Sequence, residues 1–116
     1  MPSEVETFKN QVPDRDYEIE ITCPEFTAVC PKTGQPDFGT IIIQYVPAAT
    51  CLELKSLKLY LVGYRDRGIF YEHVVNTILD DLTRSCQPRK LKVIGQFSPR
   101  GGITSRVTAV YESGRS

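Results

Sequence analysis

The sequence holds a single histidine, no Cys-x-x-C pair and no excess charge of either sign. Each shortage removes a class of function. Fourteen Lys and Arg balance fourteen Asp and Glu. There is thus no electrostatic footprint for nucleic acid and no polybasic run for an anionic membrane. One histidine and four dispersed cysteines (Cys23, Cys30, Cys51, Cys86) do not make a usual Cys/His zinc set, so no metal site is expected. No apolar run approaches bilayer-spanning length, and the first ten residues are polar rather than leader-like. The chain therefore reads as cytoplasmic, with its cysteines as thiols rather than a disulfide framework. No internal repeat or low-complexity segment is evident.

What is present suits one domain of 116 residues with a modest core, for which self-association is a fair expectation. Residues 1–13, polar and with Pro2 and Pro13, read as a loose arm; 14–112 form the domain; 113–116 read as a frayed tail. From Asp16 to Thr22, Tyr17, Ile19 and Ile21 alternate with Glu18, Glu20 and Thr22, which predicts a half-buried strand. Pro24, Pro31, Gly34 and Pro36 argue against regular structure around Cys30, leaving a long connection before a second strand at Gly39–Val46. Cys51–Tyr64 carries both periods; its Glu, Leu and Lys content and its length favour a helix. Phe70, Val74, Ile78 and Leu82 recur every four residues, which predicts a helix over Phe70–Cys86 stopped by Pro88, with Asp80, Asp81 and Arg84 outward. Strands at Leu91–Phe97 and Ser105–Tyr111 flank a turn at Pro99-Arg100-Gly101-Gly102. The expected class is α+β, in the order β-β-α-α-β-β with an antiparallel sheet and two helices.

Chemistry centres on Cys30-Pro-Lys-Thr-Gly-Gln-Pro-Asp37. A free cysteine is ordinarily a small buried hydrophobe, and Asp37 after Pro36 has a plain turn role. Yet Cys30 lies among turn formers beside Lys32, a setting that can favour a thiolate. Cys23 ends an alternating strand and reads as structural; Cys51 and Cys86 read as packing. Glu53 and Glu72 fall at helix starts, where the dipole alone explains carboxylates. Lys55 and Lys58 share a helix face that is either solvated or a phosphate site. Arg100 belongs to the basic second half of the chain, which is compatible with a small anionic ligand. His73 alone is a weak catalytic candidate.

Four blocks, Cys30–Phe38, Glu53-Leu-Lys-Ser-Leu-Lys-Leu-Tyr60, Gly68-Ile-Phe-Tyr-Glu72 and Pro99–Gly102, resemble the short form of the 7-cyano-7-deazaguanine reductase family. These are NADPH-dependent nitrile reductases of queuosine biosynthesis, a tRNA modification. The similarity runs from about Arg15 to Gly102. The resemblance implies the tunnelling fold, with copies joined into a multi-subunit barrel: a homo-oligomer, usually two pentamers, with active sites between subunits. It implies Cys30 as the nucleophile that forms a covalent thioimide and Asp37 as the proton donor. Glu72 would accept hydrogen bonds from the guanine-like base of 7-cyano-7-deazaguanine. Leu52, Glu53, Leu54 and Tyr71 would line the substrate pocket, and Lys55, Lys58 and Arg100 would meet the phosphates of NADPH. No direct nucleic-acid contact and no membrane contact are implied.

Two positions depart from the family pattern. Tyr71 stands where the family commonly has histidine; it can donate a hydrogen bond and stack on a base but does not titrate near neutrality. Val74 stands where some relatives carry a cysteine able to pair with the nucleophile. Two other readings share the fold: a GTP cyclohydrolase I-like hydrolase, which needs a zinc that one histidine serves poorly, and a non-catalytic purine- or pterin-binding protein.

Overall fold

A computed structural model describes residues 4–114. Its elements are β1 (Thr7–Lys9), β2 (Ile19–Val29), β3 (Pro36–Val46), β4 (Thr50–Leu52), α1 (Leu54–Val62), α2 (Tyr71–Cys86), β5 (Lys90–Arg100) and β6 (Ile103–Glu112). The main sheet is antiparallel in the order β2-β3-β5-β6, and β1 pairs with β4 in a separate two-stranded ribbon. The α+β class and the β-β-α-α-β-β frame hold, with β1 and β4 added to it. No helix among the described residues is long and apolar enough to cross a membrane.

Alternation along β3 builds the core. Asp37, Gly39, Ile41, Ile43 and Tyr45 are buried, and the residues between them are partly or fully exposed. Onto that face packs α2, whose Val74, Val75, Ile78, Leu79 and Leu82 form the apolar stripe the sequence predicted. The helix ends at Gln87, in left-handed conformation (φ 45°), whose N–H bonds Thr83 O at 2.8 Å.

Four expectations are corrected. The segment read as a loose arm is docked over residues 4–13, residues 1–3 lying outside those described: β1 pairs with β4, and Val5 and Asn10 are buried. Asn10 Nδ2 donates to Ala48 O (2.8 Å), while Arg89 donates to Pro13 O, Pro47 O and Asp16. The first strand does not stop at Thr22. It continues to Val29 through a register shift between Cys23 and Phe26, so that one extra residue enters β2. The bulge reverses the alternation, burying Phe26 and Ala28 and leaving Pro24 and Glu25 outside. On an edge strand the missing Pro24 N–H costs no ladder bond. The connection to β3 is therefore the short loop Cys30–Gln35 rather than a long one. The predicted Cys51–Tyr64 helix begins only at Leu54, because Cys51 belongs to β4. Asp81 does not simply face outward: Tyr60 Oη donates to its Oδ2 at 2.5 Å, and Arg84 pairs with its Oδ1.

Candidate active site

The β2–β3 hairpin loop presents the thiol. Cys30 N–H donates to Gln35 O (2.9 Å) and Gly34 N–H to Cys30 O (2.8 Å). Gly34 adopts φ +76°, which a side chain would disfavour. The Thr33 hydroxyl accepts from Gln35 N–H at 3.2 Å. Stabilisation of the thiolate, by that hydroxyl first and then by the backbone N–H groups of Thr33 and Lys32, holds the thiol below its ordinary range; desolvation and the Asp37 charge oppose it. Sequence reasoning credited the charge of Lys32, whereas its backbone N–H is what acts here. Thr33 was missed. The signal available was a hydroxyl three residues after the cysteine in a Gly-bounded turn, the arrangement by which short polar side chains bond back to their own loop.

Asp37 lies on the core face of β3, at the end where the sheet runs out, and is 6% exposed. Its Oδ1 accepts from Tyr71 Oη (3.0 Å), Arg100 Nε (3.1 Å) and Arg100 Nη2 (2.6 Å). No hydrogen bond among the described residues reaches Oδ2. The ion pair raises the already high pKa of Arg100, while burial first and then Asp37 raise that of Tyr71.

Three further segments close around the pair. A parallel bridge ties Val29 to Gly68, with Val29 N–H bonded to Arg67 O (3.1 Å) and Ile69 N–H to Val29 O (3.0 Å). This seats the start of α2 beside the loop. Tyr71 stacks flat on Phe97, with ring centroids 3.8 Å apart and planes 8° from parallel. Two glycines make room for Phe97. A Cβ at Gly39 would come within 2.9 Å of its ring, and one at Gly95 within 2.8 Å of the ring and 2.7 Å of Val75 Cγ2. The result is a cavity of about 370 Å³ lined by Cys30, Thr33, Asp37, Phe70, Tyr71, Glu72 and Arg100.

Cys30, Asp37, Tyr71 and Glu72 are therefore gathered within a single chain, joined by Arg100. Leu52, Glu53 and Leu54 are not. Leu52 is 2% exposed in the core. Glu53 caps α1, its carboxylate accepting from Lys55 N–H (2.9 Å) and Ser56 N–H (2.8 Å), bonds that lower its pKa. Leu54 is exposed on a second groove, between β2 and α1, that Lys58 also lines. Lys55 and Lys58 are exposed on α1. No cluster of three or more His, Cys, Asp and Glu able to hold a metal forms among the described residues.

Residues 36–116 match the family described as QueF-like protein. The chain is 59% identical over 112 residues, covering 97% of each chain, to a protein of Chloroherpeton thalassium named NADPH-dependent 7-cyano-7-deazaguanine reductase. A Thermomicrobium roseum protein of the same name is 60% identical over 109 residues, 94% of this chain and 85% of that one. Among solved structures, the apo form of the archaeosine synthase QueF-Like aligns with a TM-score of 0.73 over 87% of this chain and 96% of that one; at 22% identity the likeness concerns the fold.

Proposed function

We propose that this chain, which belongs to the QueF-like protein family, is an NADPH-dependent 7-cyano-7-deazaguanine reductase. It is an oxidoreductase that reduces the nitrile to an aminomethyl group, a step of queuosine biosynthesis. The observation that carries the site reading is the convergence of a thiol biased toward thiolate, a buried aspartate and an exposed glutamate on one cavity.

A nitrile carbon accepts hydride poorly until it is activated. In our reading the Cys30 thiolate adds to that carbon, and the nitrogen takes a proton from Asp37, leaving a covalent thioimide. NADPH, when bound, supplies hydride to the carbon, twice in the full reaction. After the first reduction the C–S bond breaks, returning the Cys30 thiolate and leaving an imine for the second. Two hydrides and two protons convert the nitrile to the amine, so two NADPH are oxidised per nitrile. Tyr71 keeps Asp37 oriented through its hydroxyl. Glu72, whose carboxylate offers two acceptor oxygens, receives the paired donors of the base.

The chemistry of the donor set fits a phosphorylated dinucleotide. Arg100 lines the cavity with its side chain 43% exposed, and Lys55 and Lys58 offer two more exposed cations on α1. In this reading the two lysines, with Glu53, Leu54 and the backbone at Leu52, complete the site from a neighbouring subunit. Support comes from the sheet edges. Apart from the Val29–Gly68 bridge at the end of β2, the outer edges of β2 (11 residues) and β6 (10 residues) carry no strand partner among the described residues and are open for another copy. Edge joining then closes a ring, and two rings of five make the decamer. Four free cysteines suit the cytoplasm, where thiols stay reduced.

The test is direct. Mixing protein with 7-cyano-7-deazaguanine is expected to produce a new ultraviolet absorption and a covalent mass increase on Cys30, followed by oxidation of two NADPH per nitrile. A Cys30→Ala protein that still forms the adduct and reduces the nitrile overturns the assignment.

A further inference from the structure

Two partners claim the Arg100 guanidinium, Asp37 and, in the proposed function, the cofactor, and they compete. Its guanidinium makes its two shortest contacts with a single oxygen, Oδ1 of Asp37, at 2.6 and 3.1 Å. The remaining bonds, to Gln35 Oε1 (3.2 Å) and Pro36 O (3.4 Å), are longer and go to neutral acceptors. The two partners are unequal in freedom. Asp37 is held by strand pairing with Ala28 and by the Tyr71 hydroxyl, and its side chain is 7% exposed. Arg100 ends β5 after a register shift in the β5–β6 ladder, just before the Gly101-Gly102 turn, where both glycines have positive φ. Its side chain is 43% exposed. The arginine is the partner that can leave.

We propose that Arg100 is shared between Asp37 and a cofactor phosphate, so that cofactor binding draws the guanidinium off Asp37 and leaves that carboxyl free to carry the proton that the nitrogen takes up after hydride transfer. The proposal rests on the reading that this cavity receives NADPH. A phosphate offers the guanidinium fork several charged oxygens where Asp37 presents one, and the arginine, 43% exposed, has room to exchange partners. Tyr71 stays on Oδ1 when Arg100 departs, so the carboxylate keeps its orientation. Cys30 and Glu72 are the other ionisable groups on the cavity wall, and both are acidic, so neither replaces the arginine. Linkage makes the exchange reciprocal: whatever removes Asp37 as a competitor must strengthen cofactor binding.

The experiment titrates NADP⁺, which carries the same phosphates and delivers no hydride, into the full-length protein by calorimetry, alone and after loading with the nitrile. Asp37→Asn is expected to bind about three- to tenfold more tightly than the parent. Arg100→Met is expected to bind at least about tenfold more weakly. The double variant should match Arg100→Met, because without the arginine there is nothing to release. Asp37→Ala repeats the test without an amide that could itself bond Arg100. Unchanged or weaker binding by both Asp37 variants overturns the sharing, as does an equal tightening that persists in the double variant. In either case the parent still binds NADP⁺ and the reductase reading stands. Absence of NADP⁺ binding by the parent, with and without nitrile, overturns the sharing together with the cofactor reading.

Discussion

Gly95→Ala tests how the core supports the site. The added methyl would lie 2.7 Å from Val75 Cγ2 and 2.8 and 2.9 Å from two atoms of the Phe97 ring, against ordinary contact of 3.4–4 Å. Something must move by about 1 Å in a close-packed interior. Val75 is fully buried on α2, and a β-branched side chain in a helix has essentially one χ1 well. Phe97 cannot slide toward α2, because Tyr71 already stacks on it at 3.8 Å. Overpacking of this kind costs about 1–3 kcal/mol. Urea unfolding at fixed protein concentration should show a lower midpoint with an unchanged slope. Activity should fall by more than the loss of folded protein, since the displaced ring carries the Tyr71 hydroxyl off Asp37. Val75→Ala alone leaves a cavity and also destabilises, but in the Gly95→Ala background it removes the shortest contact. The double variant should therefore be more stable than the sum of the singles predicts, by about 1 kcal/mol. A Gly95→Ala protein within about 0.5 kcal/mol of the parent, or strictly additive singles, refutes the packing argument.

Two other predictions concern titration. Because the Thr33 hydroxyl is the largest influence lowering the Cys30 pKa, Thr33→Val should move the midpoint of iodoacetamide labelling at Cys30 to higher pH. Cys86, pushed up to about 12 by burial, should stay unlabelled in the folded protein; mass spectrometry of the labelled peptides reads both. Burial also raises Tyr45 from 10.0 to about 12 and raises Tyr60 and Tyr64. The unfolded chain then releases these protons near pH 10 while the folded chain keeps them. Stability is complete below pH 10 and falls as pH rises toward 12, so the urea midpoint should drop across that window. Tyr45→Phe should flatten the drop.

Elements with a local period were legible. The four-residue recurrence from Phe70 gave α2 to within a residue at its start, and the stretch Gly39–Val46, rich in β-branched residues, gave most of β3. Elements made by distant pairing were not. Thr7–Lys9 is a strand only because Thr50–Leu52 lies beside it, and nothing in either tripeptide announces the other. Prolines misled for a positional reason. Pro24 sits in a bulge on an edge strand and Pro36 at the first residue of β3, two places where a missing N–H is tolerated. The site was half legible. A thiol and a carboxylate seven residues apart pointed to one loop, but the loop is a hairpin end rather than an irregular excursion. Which cation meets Asp37 depends on a contact between residues 63 apart, and no spacing rule reaches that far.

That separation also sets the order in which the site comes into being. Cys30 and Asp37 lie on one hairpin, and a hairpin closes in about 1–10 μs once its strands exist. Tyr71 joins from 34 residues further along the chain and Arg100 from 63. During synthesis, which runs from the N-terminus, the thiol and its acid are therefore made first and the groups that aim and restrain the acid last. A chain truncated before Arg100 would carry the nucleophile without its full control. The residue that finishes the machinery is thus close to a signal that the domain itself is finished.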